Sequence, residues 1–276
     1  MGLFSALRDR VYENYRTAFV VGTGVLALAS YLADPKRRAG RALGGWAAVL
    51  AAGAALAPCV DPQSQACGPV LARGATEEPV VALTFDDGPS VPETGRILDV
   101  LQREGVPAAF FCLGRQVRRH PELVERMVRE GHLVGNHTDT HPNLLFCSPG
   151  RARREIEAGT RVVAEVLGEP PRWFRPPYGF RYPWTLLHAR SLGQSTALWS
   201  NCPRDWQRPG VEVLVRRVVE SARPGDVVLL HDGGGDRSQT VEALPLLIRE
   251  LRARGFRLVR LDRVDGTLPL QRSRAG

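Results

Sequence analysis

The spacing of apolar residues after residue 79 constrains the fold more than any other feature of this chain. Residues 80–85 form an apolar run interrupted only by a threonine, and residues 93–104 carry apolar residues at helical intervals after Pro92. When strands and helices alternate in this way, the strands pair in parallel, because each helix carries the chain back along the sheet. The sequence therefore predicts an α/β fold with a parallel sheet.

The same alternation continues to residue 260 and predicts seven short strands in total. The further strands are expected at 108–111, 133–136, 173–175, 195–200, 227–231 and 257–260, and the further helices at 121–130, 148–167, 184–192, 211–222 and 241–254. In α/β barrels the chemistry lies at the C-terminal ends of the strands. Polar motifs at these positions are therefore the candidates for an active site.

Two polar motifs follow predicted strands, TFDDG at 84–88 and HTDTH at 137–141. Taken alone, Asp-Asp-Gly is typical of a turn, and two histidines four residues apart are common in structural positions. Together they offer a carboxylate and two imidazoles to a catalytic divalent metal, with a second carboxylate free to act as a base. Three more motifs follow in order, RPPYG at 175–179, Asp-Trp at 205–206 and LLHD at 229–232. The set predicts a metal-dependent hydrolase.

These five motifs, in this order, resemble those of the NodB-homology polysaccharide deacetylases, also called carbohydrate esterase family 4. The resemblance extends from about Val80 to about Val264, and it implies a distorted (β/α)7 barrel. It also implies one divalent metal ion, with zinc expected first and cobalt or nickel as alternatives. The expected partner is an acetylated amino-sugar polysaccharide.

The resemblance assigns a role to each matching residue around the metal. Asp87, His137 and His141 would bind it, and carboxylate and neutral imidazole are suitable zinc ligands. Asp86 would be the general base that takes the proton of the attacking water. Arg175 would pair with Asp86 and keep it ionised, since a planar guanidinium suits a fixed, forked contact.

The remaining roles concern the leaving group and the acetyl group. His231 would be the general acid, and Asp205 would orient its imidazole and support its charged form. The backbone N–H of Tyr178 would contact the oxyanion. Leu229 and Trp206 would form the slot for the acetyl methyl group, although an apolar strand residue and a tryptophan are both common packing residues as well.

One position departs from the family pattern. Many members have an aspartate three residues before the Asp-Trp pair, and this chain has Cys202 there. The aspartate that orients the general acid is the second one, which is present. The departure therefore bears on substrate preference more than on the chemistry.

The charge of the chain does not indicate a nucleic-acid partner. The net charge is +8 and the pI is near 9.8, but Lys36 is the only lysine and the arginines are scattered. No nucleic-acid-binding motif accompanies the charge, so we predict no such binding. A basic surface would suit an anionic cell envelope.

The N-terminal region differs in composition and has two uncharged apolar stretches, 17–33 and 42–57, separated by a basic linker. Each would be about 25 Å long as a helix, against a hydrocarbon core of about 30 Å. A pair of soluble helices is one interpretation. The basic linker favours membrane insertion with the linker in the cytoplasm, which places the catalytic domain outside it.

Cleavage of this segment is disfavoured, because Pro58 follows the signal-peptidase-like Ala-Leu-Ala. We therefore expect a membrane anchor, with secretion as the alternative. The predicted divisions are an N-terminal hydrophobic hairpin or anchor at 1–58, a linker at 59–78, the catalytic domain at 79–265 and a tail at 266–276.

The sequence thus predicts removal of N-acetyl groups from an amino-sugar polysaccharide. Peptidoglycan or a related envelope glycan is favoured over chitin because of the predicted outward-facing anchor. Two alternatives stay open, an O-acetyl polysaccharide esterase with the same metal and base, and a catalytically silent glycan-binding module. The complete set of catalytic residue types argues against the silent module.

Overall fold

The computed structural model describes residues 53–54 and 57–264. The chain divides into two units between Val60 and Asp61, and the second unit is described below. Apart from 53–54 and 57, the apolar stretches 17–33 and 42–57 lie outside the described residues, as does the tail 266–276. Among the helices that are described, none combines the length and apolarity needed to cross a bilayer.

Seven parallel strands form one curled sheet, which confirms the predicted α/β class. The strands are β1 Val80–Asp86, β2 Ala108–Cys112, β3 Leu133–Asn136, β4 Trp173–Phe174, β5 Ser195–Thr196, β6 Asp226–His231 and β7 Arg257–Leu258. Their order across the sheet is β5-β4-β3-β2-β1-β6. Strand β7 pairs with the first two residues of β1, and β2 pairs with the last four residues of β1.

The segment after β5 curls the sheet into a distorted half-barrel. The N–H of Ala197 donates to the carbonyl of Phe174 at 2.9 Å, so this segment begins beside β4. Four residues later Asn201 pairs with Val228, and its carbonyl accepts from the N–H of Leu229 at 2.9 Å. The predicted strand 195–200 is regular over only two residues, because the chain changes its neighbour from β4 to β6 along this stretch.

Between Val80 and Val264, seven α-helices lie between the strands and an eighth follows β7. They are α1 Glu93–Glu104, α2 Gly114–Val117, α3 Pro121–Arg129, α4 Pro149–Leu167, α5 Pro183–Ser191, α6 Val211–Ser221, α7 Ser238–Ala253 and α8 Leu261–Val264. The six longer helices agree with the predicted ones to within three residues at each end. The four-residue helices α2 and α8 were not predicted, since so short a segment carries no periodic pattern.

The ends of α4 show why its limits were predictable. The hydroxyl of Ser148 accepts a hydrogen bond from the N–H of Arg151 at 3.3 Å, which caps the start of the helix. Gly168 ends the helix with φ 76°, a left-handed conformation that glycine adopts without steric cost. Both signals are local and therefore visible in the sequence.

Alternation along β1 carries two polar side chains to the inside of the barrel. Val81, Leu83 and Phe85 belong to the main core between the sheet and the helices. Thr84 and Asp86 point to the opposite face, because successive strand residues alternate between faces. Both are buried, at 0% and 3% exposure, so they must find polar partners within the fold.

Candidate active site

The five motifs meet at one edge of the sheet, where the parallel strands end. Asp86 ends β1 and is paired in register with His231, the last residue of β6. His137 directly follows β3, and Arg175 directly follows β4. Motifs that are far apart in sequence are therefore neighbours in space.

Asp87, His137 and His141 bring one ligand atom each to a common point. Asp87 Oδ1 lies 3.5 Å from His137 Nε2 and 3.1 Å from His141 Nε2, and the three ligand atoms lie within 4.8 Å of one another. Asp87 Oδ1 is buried, and no hydrogen-bond donor within the described part of the chain satisfies it. One carboxylate and two imidazoles in this arrangement fit a divalent metal ion.

The protonation states of these groups also suit a metal. The carbonyl of Arg175 lies 2.7 Å from His137 Nδ1, and because a carbonyl only accepts, the ring proton is on Nδ1 and Nε2 is free to coordinate. Burial lowers the pKa of His141 to about 4, so this imidazole is neutral at physiological pH. Burial alone would raise the pKa of Asp87, but the nearby imidazoles outweigh burial and hold it well below its usual range.

The backbone around the ligands adopts left-handed conformations that are uncommon for residues with side chains. Asp87 has φ 75°, Thr138 has φ 71° and His141 has φ 64°. Such conformations are found where surrounding contacts enforce them, and they concentrate at functional sites. Part of that enforcement is visible, since the His141 N–H donates to the Thr138 hydroxyl at 3.2 Å.

Arg175 is fully buried beside Asp86 and fixes one of its two oxygens. Its Nη1 donates to Asp86 Oδ1 at 2.7 Å and to the Thr84 hydroxyl at 2.9 Å. Its Nε and Nη2 donate to two main-chain carbonyls of the segment after β5, at 3.1 and 2.9 Å. Asp86 Oδ2 lies 3.7 Å from His137 Nε2 and faces the ligand group. The contact is therefore made by one guanidinium nitrogen and is not the forked contact that the sequence predicted, because Nε and Nη2 bind the main chain. It holds one carboxylate oxygen and leaves the other available.

His231 and Asp205 form the second polar group of the site. His231 Nδ1 lies 2.8 Å from Asp205 Oδ1, and the His231 N–H donates to Asp205 Oδ2 at 2.8 Å. The Thr240 hydroxyl also donates to Oδ2, at 2.9 Å. Burial alone would lower the pKa of His231, but the charge and hydrogen bond of Asp205 outweigh it and raise that pKa above its ordinary value. This imidazole keeps its proton to a higher pH than a free histidine does.

Three further predicted residues border the same space. The ring of Tyr178 packs edge-on against His141 with centroids 4.6 Å apart, and Tyr178 has φ 63° after two prolines. The ring of Trp206 packs edge-on against His231 at 5.2 Å. Leu229 is buried in β6, two residues before His231, so its side chain lies on the same face of the strand as His231. The structure therefore brings together every residue that the sequence proposed for the site.

Asp232 is a residue of the site to which the sequence assigned no role. Its side chain is 1% exposed, its Oδ2 accepts from the Thr94 hydroxyl at 2.6 Å, and its N–H donates to the carbonyl of Asp86 at 3.1 Å. Burial, helped by the nearby carboxylates, raises the pKa of Asp232 to about 7. The sequence signal that could have identified Asp232 was its position directly after His231.

Close approach explains Gly88 of the first motif and Gly234, which lies two residues after the last motif. A Cβ on Gly88 would lie 2.0 Å from Asp232 Oδ2, and a Cβ on Gly234 would lie 2.5 Å from Asp87 Oδ2. Neither position has space for a side chain. Gly88 was identifiable as a motif residue, but the sequence does not show what approaches either glycine.

Cys202, the departure from the family pattern, brings no charge to the site. Burial raises the pKa of its thiol to about 12, so the thiol is neutral at physiological pH. Away from the site, His132 is a structural residue, as the sequence indicated. It is buried, and its Nδ1 accepts from the N–H of Ala108 at 3.1 Å.

Comparisons with known proteins match both the sequence and the fold. A family model described as polysaccharide deacetylase matches residues 73–197. A peptidoglycan-N-acetylglucosamine deacetylase of Bacillus cereus is 43% identical over 184 residues, which is 66% of this chain and 86% of that protein. A chitooligosaccharide deacetylase of Bradyrhizobium sp. is 44% identical over 190 residues, 64% of this chain and 87% of that protein. The solved structure of the Bc1960 peptidoglycan N-acetylglucosamine deacetylase is similar with a TM-score of 0.69 at 34% identity, covering 71% of this chain and 92% of that one.

Proposed function

This chain belongs to the polysaccharide deacetylase family, carbohydrate esterase family 4, and from that premise we propose that it removes N-acetyl groups from the glucosamine units of peptidoglycan or a related envelope glycan. It is a metal-dependent deacetylase by family and by site. The observation that carries the proposal is the convergence of Asp87, His137 and His141 beside the free oxygen of Asp86.

Zinc is the metal that we propose for this site. One carboxylate and two neutral imidazoles are suitable zinc ligands. Three protein ligands leave one coordination position of the zinc open for water or substrate. A zinc ion held by Asp87, His137 and His141 would supply Lewis-acid polarisation of the amide carbonyl and activation of water.

We assign the role of general base to Asp86. Its Oδ1 is held by Arg175, and its Oδ2 faces the ligand group, so the proton of the attacking water would be taken at Oδ2. Arg175 compensates the carboxylate charge and fixes its direction. The contact between Arg175 and Asp86 Oδ1 thus leaves Oδ2 free beside the metal ligands, where a general base would take the proton.

We assign the role of general acid to His231. Its Nδ1 is bound to Asp205, so the proton that it can transfer is on Nε2. An amine is a poor leaving group unless it is protonated, and a positioned imidazolium supplies that proton. Asp205 keeps the imidazole charged and correctly oriented for this step.

The oxyanion and the acetyl methyl group would be bound by the remaining residues. The backbone N–H of Tyr178 is the proposed oxyanion donor, on a loop stiffened by two prolines. Leu229 and Trp206 would enclose the methyl group. Such a slot distinguishes acyl chains by only about 1–3 kcal/mol for each methylene.

Metal analysis combined with acetate release tests the proposal. Wild-type protein should bind one zinc and release acetate, and Asp87→Ala should lose both properties. Asp86→Asn should keep the metal and lose turnover, because the amide accepts no proton. Activity that survives in Asp87→Ala, or a wild-type protein that binds no divalent metal, would contradict the mechanism.

The preference for an envelope glycan over chitin rests on the predicted outward-facing anchor. The similar proteins named above include both a peptidoglycan deacetylase and a chitooligosaccharide deacetylase. Acetate release should be measured on both polymers at equal N-acetylglucosamine concentration. Activity on chitooligosaccharides alone would overturn the ranking.

We also propose that the stretches 17–33 and 42–57 hold the enzyme at the membrane with its catalytic unit outside the cytoplasm. The charge-free composition of both stretches and the basic linker between them support this. The full chain should stay with membranes after carbonate washing, and protease added to intact cells from which the wall has been removed should degrade the catalytic unit. Recovery of the full chain in the soluble cytoplasmic fraction would refute the anchor.

A further inference from the structure

The loop between the two histidine ligands is held by one residue of helix α4. The N–H of Asp139 donates to the backbone carbonyl of Glu155 at 3.1 Å. The N–H of Thr140 donates to Glu155 Oε2 at 2.9 Å, and the Thr140 hydroxyl donates to Glu155 Oε1 at 2.8 Å. Both carboxylate oxygens of Glu155 are therefore used on a single loop residue, the one directly before His141.

The same face of α4 contacts the start of this loop. Asn136 Nδ2 donates to the carbonyl of Ile156 and to the hydroxyl of Thr160, both at 3.0 Å, and Asn136 Oδ1 accepts from the N–H of Thr138 at 2.9 Å. A Cβ on Gly159 would lie 2.3 Å from Asn136 Oδ1 and 2.7 Å from the carbonyl carbon of Thr138. The helix backbone thus lies directly against the loop.

The loop conformation requires such support. Thr138 and His141 both have positive φ, at 71° and 64°, and neither is a glycine. Residues held in this region keep it only when the surrounding structure determines it. Thr140 lies between these two residues, so a contact that fixes both its N–H and its hydroxyl also fixes the direction in which the chain enters His141.

We propose that Glu155 is a positioning residue for the metal centre. Through Thr140 it sets the orientation of His141, and thereby the affinity and geometry with which the site binds zinc. The inference rests on the zinc site of the proposed function and adds to it a residue from outside the five motifs. Glu155 acts on the loop and takes no part in the reaction itself.

Glu157 offers a matched control on the same helix. Its carboxylate lies 3.4 Å from Arg153 Nη2 and 3.3 Å from His188 Nε2, and its side chain is 41% exposed. Glu155→Ala and Glu157→Ala therefore remove the same group from the same helix. Only the first change removes a contact with the ligand loop.

The decisive measurement is zinc affinity of the metal-free full chain, obtained by competition with a chromophoric chelator. Loss of a residue that orients a ligand typically weakens metal binding about 10–100-fold, which is the change expected for Glu155→Ala. Glu155→Gln should have a smaller effect, because its amide keeps one acceptor oxygen. Glu157→Ala should bind zinc as the wild type does.

Cobalt substitution and a second variant separate positioning from general damage. The visible absorption spectrum of the cobalt-substituted protein reports ligand geometry, and it should change in Glu155→Ala but not in Glu157→Ala. Thr140→Val removes the hydroxyl with little change of shape and should weaken zinc binding by itself. Combined with Glu155→Ala it should add little, since both changes remove the same hydrogen bond.

Wild-type zinc affinity and cobalt spectrum in a folded Glu155→Ala protein would overturn the inference. If that variant does not fold, unchanged zinc affinity in both Glu155→Gln and Thr140→Val would overturn it equally. A wild-type protein that binds no zinc would instead contradict the zinc site on which the proposed function depends. The two failures are thus distinguishable.

Discussion

The adjacent residues Asp86 and Asp87 have different proposed roles in this site because different side chains surround them. Asp86 ends a strand, points into the barrel and meets the fixed guanidinium of Arg175 at 2.7 Å. Asp87 has left-handed backbone geometry and points instead at the imidazoles of His137 and His141. Environment, and not residue type, separates a proposed base from a proposed ligand.

The pH dependence of turnover should report the pairing of His231 with Asp205. The active acid is protonated, so kcat falls as pH rises through the pKa of His231, which Asp205 raises above its ordinary value. Asp205→Asn removes the raising charge, so the falling limb should move to lower pH. Profiles of kcat against pH for metal-loaded wild type and Asp205→Asn would check this, and an unmoved limb would argue against the assignment.

His231→Ala should distinguish the amidase from the alternative esterase. General-acid catalysis typically contributes about 10²–10⁴-fold, and an amine leaving group depends on it more than an alkoxide does. We therefore expect a larger loss of kcat on an N-acetyl substrate than on an O-acetyl ester. Acetate release from both substrates measures the difference, and a loss confined to the ester would favour the esterase.

At the level of the elements, the approach of α4 to the ligand loop makes Gly159 a sensitive position. Alanine in a helix interior is normally about 1 kcal/mol more favourable than glycine. Here the added Cβ would lie within 2.7 Å of the carbonyl carbon of Thr138, which is backbone and has little freedom to shift. Gly159→Ala should instead destabilise the metal-free protein by about 1–3 kcal/mol in urea unfolding, and it should weaken zinc binding.

Gly150 is the matched control for this substitution. It lies in the first turn of the same helix, and the nearest atom to its added Cβ would be Arg154 Nη1, at 3.6 Å. That distance is an ordinary contact with a flexible side chain. Gly150→Ala should therefore leave zinc affinity unchanged, and equal losses in both variants would show that the approach of α4 is not the cause.

On the scale of the whole molecule, half of the net charge of +8 lies in residues 1–60, which carry seven basic and three acidic side chains, so the rest of the chain should favour an anionic glycan only weakly. Raising the salt from about 0.1 M to about 1 M shortens the screening length from about 10 Å to about 3 Å. KM for peptidoglycan, which carries carboxylates, should then rise by only about twofold. KM for neutral chitooligosaccharides should change little and serves as the control, so equal salt dependence on both would exclude steering by charge.

The sequence by itself determined the α/β class and the limits of the longer helices, and the resemblance of its five motifs to a known family indicated ten residues of the site. Apolar periodicity, helix caps and short motifs are local properties, so they can be identified without knowing which segments meet. This is why α4 was predicted closely.

Only the tertiary structure decided which partner each of those residues has. Arg175 reaches Asp86 across 89 positions of sequence, and Thr94 reaches Asp232 across 138. The contact of Glu155 with Thr140, 15 positions earlier, and the short regular part of β5 likewise depend on contacts outside their own secondary-structure elements. Local pattern carries no information about such pairs, because the topology of the sheet, and not the spacing along the chain, brings them together.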